Sequence, residues 1–167
     1  FEKHLDELVN QPASLARNTV VVCGGGFTGI ELATELPARL RARLGDDTQT
    51  RVIVVERGDK IGGRFSEALS QVIAEASIGL GVEWRVNSEV ESIDATGVTL
   101  KGGEHIESST VVWTAGVEAH PLTQQIRAER DAQGRLRVND LLQIPALPDV
   151  YATGEFPKLD RMLAGHQ

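Results

Sequence analysis

The chain has 167 residues, of which 41% are hydrophobic and 25% charged, and a net charge of −7. That length buries a core without a disulfide or metal staple, and the composition excludes disorder. An acidic chain with no basic cluster lacks the positive footprint that nucleic acid needs, and the single cysteine, Cys23, cannot close an internal disulfide, so a reducing, cytoplasmic setting is expected.

Phe1, Leu5, Leu8 and Val9 recur at helical spacing and predict a helix over residues 2–10. Glu2, Asp6 and Glu7 read as its solvated face. The chain opens on Phe1 in what reads as the end of a helix, so a piece of a longer protein is expected. No signal peptide is evident, and no apolar run approaches the ~18 residues of a membrane helix. Residues 11–18 read as a linker. Thr19–Cys23 is a short β-branched run with the signature of a buried strand, and Cys23 reads as a small core side chain. A helix follows from about Thr28, with Ile30, Ala33, Leu36, Leu40 and Leu44 on its apolar face. Pro37 inside it predicts a kink or a split.

Arg51–Glu56 predicts a second buried strand. Ser66 can cap the next helix, with Glu67 in its first turn and Leu69, Val72, Ile73 and Ala76 as its expected buried face. Val82–Val86 predicts a third strand. From Glu89 to Val112 the apolar residues alternate with polar ones, and turns fall at Ala95-Thr96-Gly97 and Gly102-Gly103; this predicts a three-stranded meander. Thr110–Thr114 predicts another buried strand. Beyond it come a predicted helix around Leu122–Ala128, a turn at Asp131–Gly134, a strand at Arg135–Val138, and a last strand and turn over Asp149–Gly154. Trp84 and Trp113, both on strands, are expected in the core. The order βαβαβ, meander, β predicts an α/β fold: a Rossmann-like parallel sheet with helices on both faces plus a three-stranded antiparallel β-meander.

Gly24-x-Gly26-x-x-Gly29 falls between the first strand and the first long helix, the context in which a dinucleotide fingerprint has physical meaning. Gly24 permits the tight turn out of the strand. Gly26 removes a Cβ so that a pyrophosphate can approach the backbone, and Gly29 lets helix and strand pack closely. Gly25 reads as filler between them. The amides at the helix start, Phe27 and Thr28 among them, then hold the anion without help from Lys or Arg. At the end of the next strand, Glu56 fits an acid that bonds the adenosine ribose hydroxyls, and its charge would repel the 2′-phosphate of NADPH. Arg57, Lys60 and Arg64 follow it and pull the other way. Glu31 fits either a helix-dipole carboxylate or a polar contact near a nicotinamide. Ala115-Gly116 fits either a plain turn or a close approach of backbone to a ligand at the sheet's carboxyl edge. The candidate cofactor-binding residues are therefore Gly24, Gly25, Gly26, Phe27, Thr28, Gly29, Glu31, Glu56, Arg57, Ala115 and Gly116. His4, His105, His120 and His166 are scattered without metal spacing, and there is neither a GxSxG nucleophile elbow nor a Walker lysine. A methyltransferase would share the glycine loop and the acid, but the meander and Ala115-Gly116 oppose it.

The segments GGGFTGIELATEL, VIVVERGDKIGGRFSEAL, VVWTAGVEAHPL, GRLRVND and DVYATGE occur in an order that resembles the pyridine nucleotide–disulfide oxidoreductase superfamily. The Phe-Thr-Gly-x-Glu-Leu-Ala and Trp-Thr-Ala-Gly-Val forms are most similar to type II NADH dehydrogenases, the FAD-dependent NADH:quinone oxidoreductases. The resemblance runs from about Thr19 to Glu155. It implies residues 1–15 as an N-terminal helix and linker, 16–120 as an NAD(H)-binding domain, and 121–167 as a return toward an FAD domain of the same chain. It further implies Gly24, Gly26 and Gly29 at the pyrophosphate, Glu31 near the nicotinamide, Glu56 at the ribose and Gly116 against the cofactor. Hydride would pass from NADH to FAD and electrons on to quinone, with no general acid or base required from this domain and no metal. The isolated piece is then expected to be inactive, and the whole protein to lie peripherally on the cytoplasmic membrane face through segments outside this sequence. A ferredoxin-reductase-like flavoprotein and a non-catalytic NAD(H)-sensing module are the alternatives. The family carries Asp where this chain has Glu155, one methylene longer.

Overall fold

The computed structural model describes residues 1–63, 65–116 and 118–154. The chain divides into two compact units, Phe1–Ala115 and the remainder from Gly116 onward. The first unit begins with helix α1 (Glu2–Leu8) and a short helix α2 (Leu15–Asn18), followed by strand β1 (Thr19–Cys23) and helix α3 (Phe27–Leu44). Strand β2 (Arg51–Val55), helix α4 (Glu67–Gly79) and strand β3 (Val82–Arg85) come next. The meander β4 (Val90–Asp94), β5 (Gly97–Leu100) and β6 (His105–Glu107) leads into β7 (Thr110–Trp113).

Strands β3, β2, β1 and β7 form one parallel sheet in that order. The apolar runs dictate this, because a parallel strand covered on both faces must be apolar at every position; all five residues of β1 are buried. Val20, Val22, Val52 and Val54 pack with Leu5 and Leu8 of α1 and Ala33, Leu36 and Leu40 of α3. The alternate residues Val21, Cys23, Ile53 and Val55 pack with Val98, Leu100 and Ile106 of the meander. The α/β class, the parallel sheet and the separate antiparallel meander are therefore present as expected. The helices differ: α3 and α4 neighbour each other, and the meander occupies the face that sequence reasoning also gave to helices. Meander side chains of alternating polarity supply an apolar surface as well as a helix does.

Several local expectations are corrected. Residues 11–18 contain α2, whose start is capped by Ser14 accepting from the Arg17 amide. Glu2 and Asp6 are not simply solvated, since they pair with Arg39 and Arg43 of α3. Pro37 does not split α3, which runs unbroken over 18 residues; Leu36, Pro37 and Leu40 are all buried, and that packing outweighs one lost helical bond. Helix α4 turns a different face inward from the one expected. Ser70 and Ser77 are buried, whereas Leu69 and Val72 are 45% and 61% exposed. The cause is Trp84 of β3, whose indole N–H donates to Ser77 Oγ at 2.9 Å; a narrow serine face lets the helix close over the ring. Trp113 is also no core residue, being 58% exposed.

In the second unit, a short 3₁₀ helix (Pro121–Gln125) replaces the helix expected to reach Ala128. The Arg130 guanidinium donates to the carbonyls of Thr123, Ile126 and Ala128 and so takes acceptors that a longer helix would use. Arg135–Val138 forms no strand of its own; Leu136 makes only a bridge to Arg130. The hairpin is instead β8 (Gln143–Ile144) with β9 (Leu147–Tyr151), over a cluster of Leu136, Val138 and Ile144. Among the described residues no helix is long and apolar enough to cross a membrane.

Candidate functional site

The strand order reverses direction at β1, between β2 on one side and β7 on the other, and the glycine loop leaves β1 at that point. In open α/β sheets, the crevice at such a switch point, outside the carboxyl ends of the strands, is where ligands bind. Gly24 has φ +117, and a Cβ there would lie 2.8 Å from the Ala115 nitrogen. A Cβ on Gly29 would lie 1.9 Å from the Gly24 carbonyl oxygen. Around Gly26 a Cβ would meet nothing within 4 Å. Two of the three glycines are thus required by packing, and the third faces open space. Gly26 is also the N-cap of α3, and among the described residues no side chain caps that end. The first amides of the helix are left for an external acceptor, as a phosphate cradle requires.

Gly25 is not filler. A Cβ there would lie 3.0 Å from Glu56 Oε2 and 3.0 Å from the Trp84 ring. Its N–H donates to Glu56 Oε2 at 2.7 Å, and its carbonyl accepts from the Gly62 N–H at 3.1 Å. The other carboxylate oxygen, Glu56 Oε1, accepts from the Gly58 N–H at 2.7 Å. Glu56 therefore sits at the loop, half-buried, with one lone pair of each oxygen used by backbone. Phe27, Thr28, Glu31, Arg57 and Ala115 are exposed. Gly116, with φ +84, opens the second unit. Arg64 and Glu155 lie outside the described residues.

Three residues at the loop were not read from the sequence as part of the site. Trp84 floors Gly25, Gly62 holds its carbonyl, and the Thr114 hydroxyl lies 3.0 Å from the Gly24 oxygen. Thr114 stands inside the Trp-Thr-Ala-Gly motif, which was the signal available for it. Cys23 ends β1 beside the loop, but burial pushes its thiol up to about 11, which leaves it protonated and inert at neutral pH. A separate hollow lined by Leu15, Arg51, Ile53, Arg85, Glu104 and His105 contains none of the loop residues. Its two arginines are already paired, Arg51 with Glu83 and Arg85 with Glu104. No cluster of metal-ligating side chains occurs among the described residues.

Residues 3–165 match the family described as pyridine nucleotide-disulphide oxidoreductase. The chain belongs to that family. An NADH dehydrogenase-like protein of Mycobacterium tuberculosis is 40% identical over 157 residues, which is 93% of this chain and 39% of that protein. The type II NADH:quinone oxidoreductase Ndh of the same species is 31% identical over 156 residues, 85% of this chain and 34% of that protein. The chain thus spans little more than a third of these relatives. NDH2 from Plasmodium falciparum, solved in complex with NADH, shares the fold with a TM-score of 0.68 at 19% identity over 93% of this chain and 36% of that one.

Proposed function

We propose that the chain is the NADH-presenting domain of an FAD-dependent NADH dehydrogenase, delivering hydride to flavin and electrons onward to quinone. The observation that carries this reading is the glycine loop: Gly24 and Gly29 are filled against by their neighbours, Gly26 opens onto space, and α3 begins uncapped beside it. A pyrophosphate fits that cradle in charge and in room. Glu56, already held by two amides, is oriented to bond ribose hydroxyls with its remaining lone pairs, and its charge favours NADH over NADPH. Phe27 and Thr28 contribute amides of the first turn, Glu31 and Arg57 flank the loop, and Ala115-Gly116 borders the nicotinamide half. When bound, the nicotinamide supplies the hydride and the flavin accepts it. This chain's residues bind and orient, and none is assigned proton transfer. The flavin and the membrane contact belong to other segments of the full-length protein.

The reading is tested by titrating the chain with NADH and following tryptophan emission. Trp84 and Trp113 are the only tryptophans and lie on the two strands flanking β1 and its neighbour, so bound NADH should quench them and gain energy-transfer emission. Saturable binding with negligible NADH oxidation is expected. Absence of binding at millimolar NADH would overturn the assignment.

A further inference from the structure

The peptide between Gly24 and Gly25 is flanked by glycine on both sides, and Gly24 stands at φ +117, so its own backbone gives it little resistance to rotation. Two side chains from different strands hold it. Its N–H, on Gly25, donates to Glu56 Oε2 at 2.7 Å, just past β2. Its carbonyl oxygen, on Gly24, accepts from Thr114 Oγ1 at 3.0 Å, just past β7. The hydroxyl proton is shared with the Cys23 carbonyl, 3.1 Å away, to which the Thr114 N–H also donates at 2.9 Å. The Gly24 oxygen is thereby directed at the start of α3, within 1.9 Å of where a Cβ on Gly29 would sit. Rotation of this peptide would turn a carbonyl dipole out of that contact and toward the anion cradle, where it would repel phosphate.

We propose that Thr114 is a positioning residue: with Glu56 it clamps the Gly24–Gly25 peptide at both ends, and diphosphate recognition at the loop depends on its hydroxyl. The clamp deepens the nucleotide reading above and rests on it. Thr114 itself touches no ligand. Its effect is confined to the part of the ligand that the loop holds, so a ligand with phosphate should feel its loss while a nucleoside without phosphate should not.

The experiment compares the wild-type chain with Thr114→Val, which keeps the shape and removes the hydroxyl, and Thr114→Ser, which restores it. Affinities for NADH, ADP and adenosine are measured by calorimetry. Loss of one hydrogen bond at the loop should weaken NADH and ADP about tenfold in Thr114→Val, leave adenosine within about twofold, and be largely recovered in Thr114→Ser. Equal affinities in Thr114→Val and wild type would overturn the clamp. So would adenosine weakening by the same factor as ADP, which marks a general loss of structure. Amide hydrogen exchange in Thr114→Ala supplies a second arm: the Gly25 amide should exchange at least about tenfold faster while Val21 and Val54 stay protected. Unchanged Gly25 exchange would also overturn the clamp. A wild-type chain that binds neither NADH nor ADP overturns the nucleotide reading instead, and the exchange arm still decides the role of Thr114.

Discussion

Gly26 and Gly29 differ in what a methyl group would meet, and this separates folding from binding at the scale of single residues. Gly29→Ala drives a carbon into the Gly24 carbonyl and should cost about 1–3 kcal/mol, read as a lower melting temperature with loss of NADH binding. Gly26→Ala meets open space at φ −76, so stability should stay within about 1 kcal/mol while NADH affinity falls at least about tenfold by calorimetry. The packing duties of Gly24 and Gly29 were legible in the sequence, because a strand–turn–helix imposes them locally. The need for Gly25 was not. It comes from Glu56, 31 residues on, and from the Trp84 ring. Thr114 acts on Gly24 from 90 residues away, so spacing along the chain carries no trace of it.

Among the elements, α4 shows what periodicity does and does not convey. Its spacing says which residues share a face; it does not say which face turns inward. Val72→Glu on the exposed stripe should shift stability by less than about 0.5 kcal/mol in thermal melts. Ser77→Ala removes the acceptor of the Trp84 indole and should cost about 1–3 kcal/mol although a single oxygen is lost. Strands β2 and β3 are also tied by Arg51, whose Nε and Nη2 donate to Glu83 at 2.8 Å each. That hydrogen bonding holds the Glu83 carboxyl below its ordinary value of 4.5. The folded-state value is the depressed one, so the contribution to stability is present above about pH 4.5 and is lost as pH falls through the folded value. Glu83→Gln should flatten the acid side of a plot of melting temperature against pH, modestly, because both groups are partly exposed.

For the whole molecule, the parallel sheet is covered on one face by α1, α3 and α4 and on the other by the meander, and both cores run through β1. The class of the fold and the chain order of the first unit's strands and long helices could be read from the alternation of apolar runs and turns. Beyond Gly116 the strand expected over Asp149–Gly154 is present as β9, but the short 3₁₀ helix could not be read, since Arg130 and its three carbonyl acceptors decide residues 123–128 against their helical pattern. Cys23 lies in the meander-side core and reports on the integrity of the first unit. Burial raises its thiol from 9.0 to about 11, so its contribution is complete below pH 9 and is lost as pH rises toward 11. A thiol reagent at neutral pH should therefore label the chain only at the rate of unfolding, and labelling should become fast in denaturant. Rapid labelling of the folded chain would show that the second face of the sheet opens.

The bare start of α3 bears on how the protein behaves in a laboratory flask. With Gly26 at the cap and, among the described residues, no hydroxyl or carboxylate bonded to the first turn, those amides are left for an external anion. Inorganic phosphate and sulfate carry the same tetrahedral oxyanion as half of a pyrophosphate, so common buffers become competitors. Apparent NADH affinity should fall as phosphate replaces a zwitterionic buffer at constant ionic strength, and the extent of that fall would measure how much of the nucleotide's grip lies in the loop.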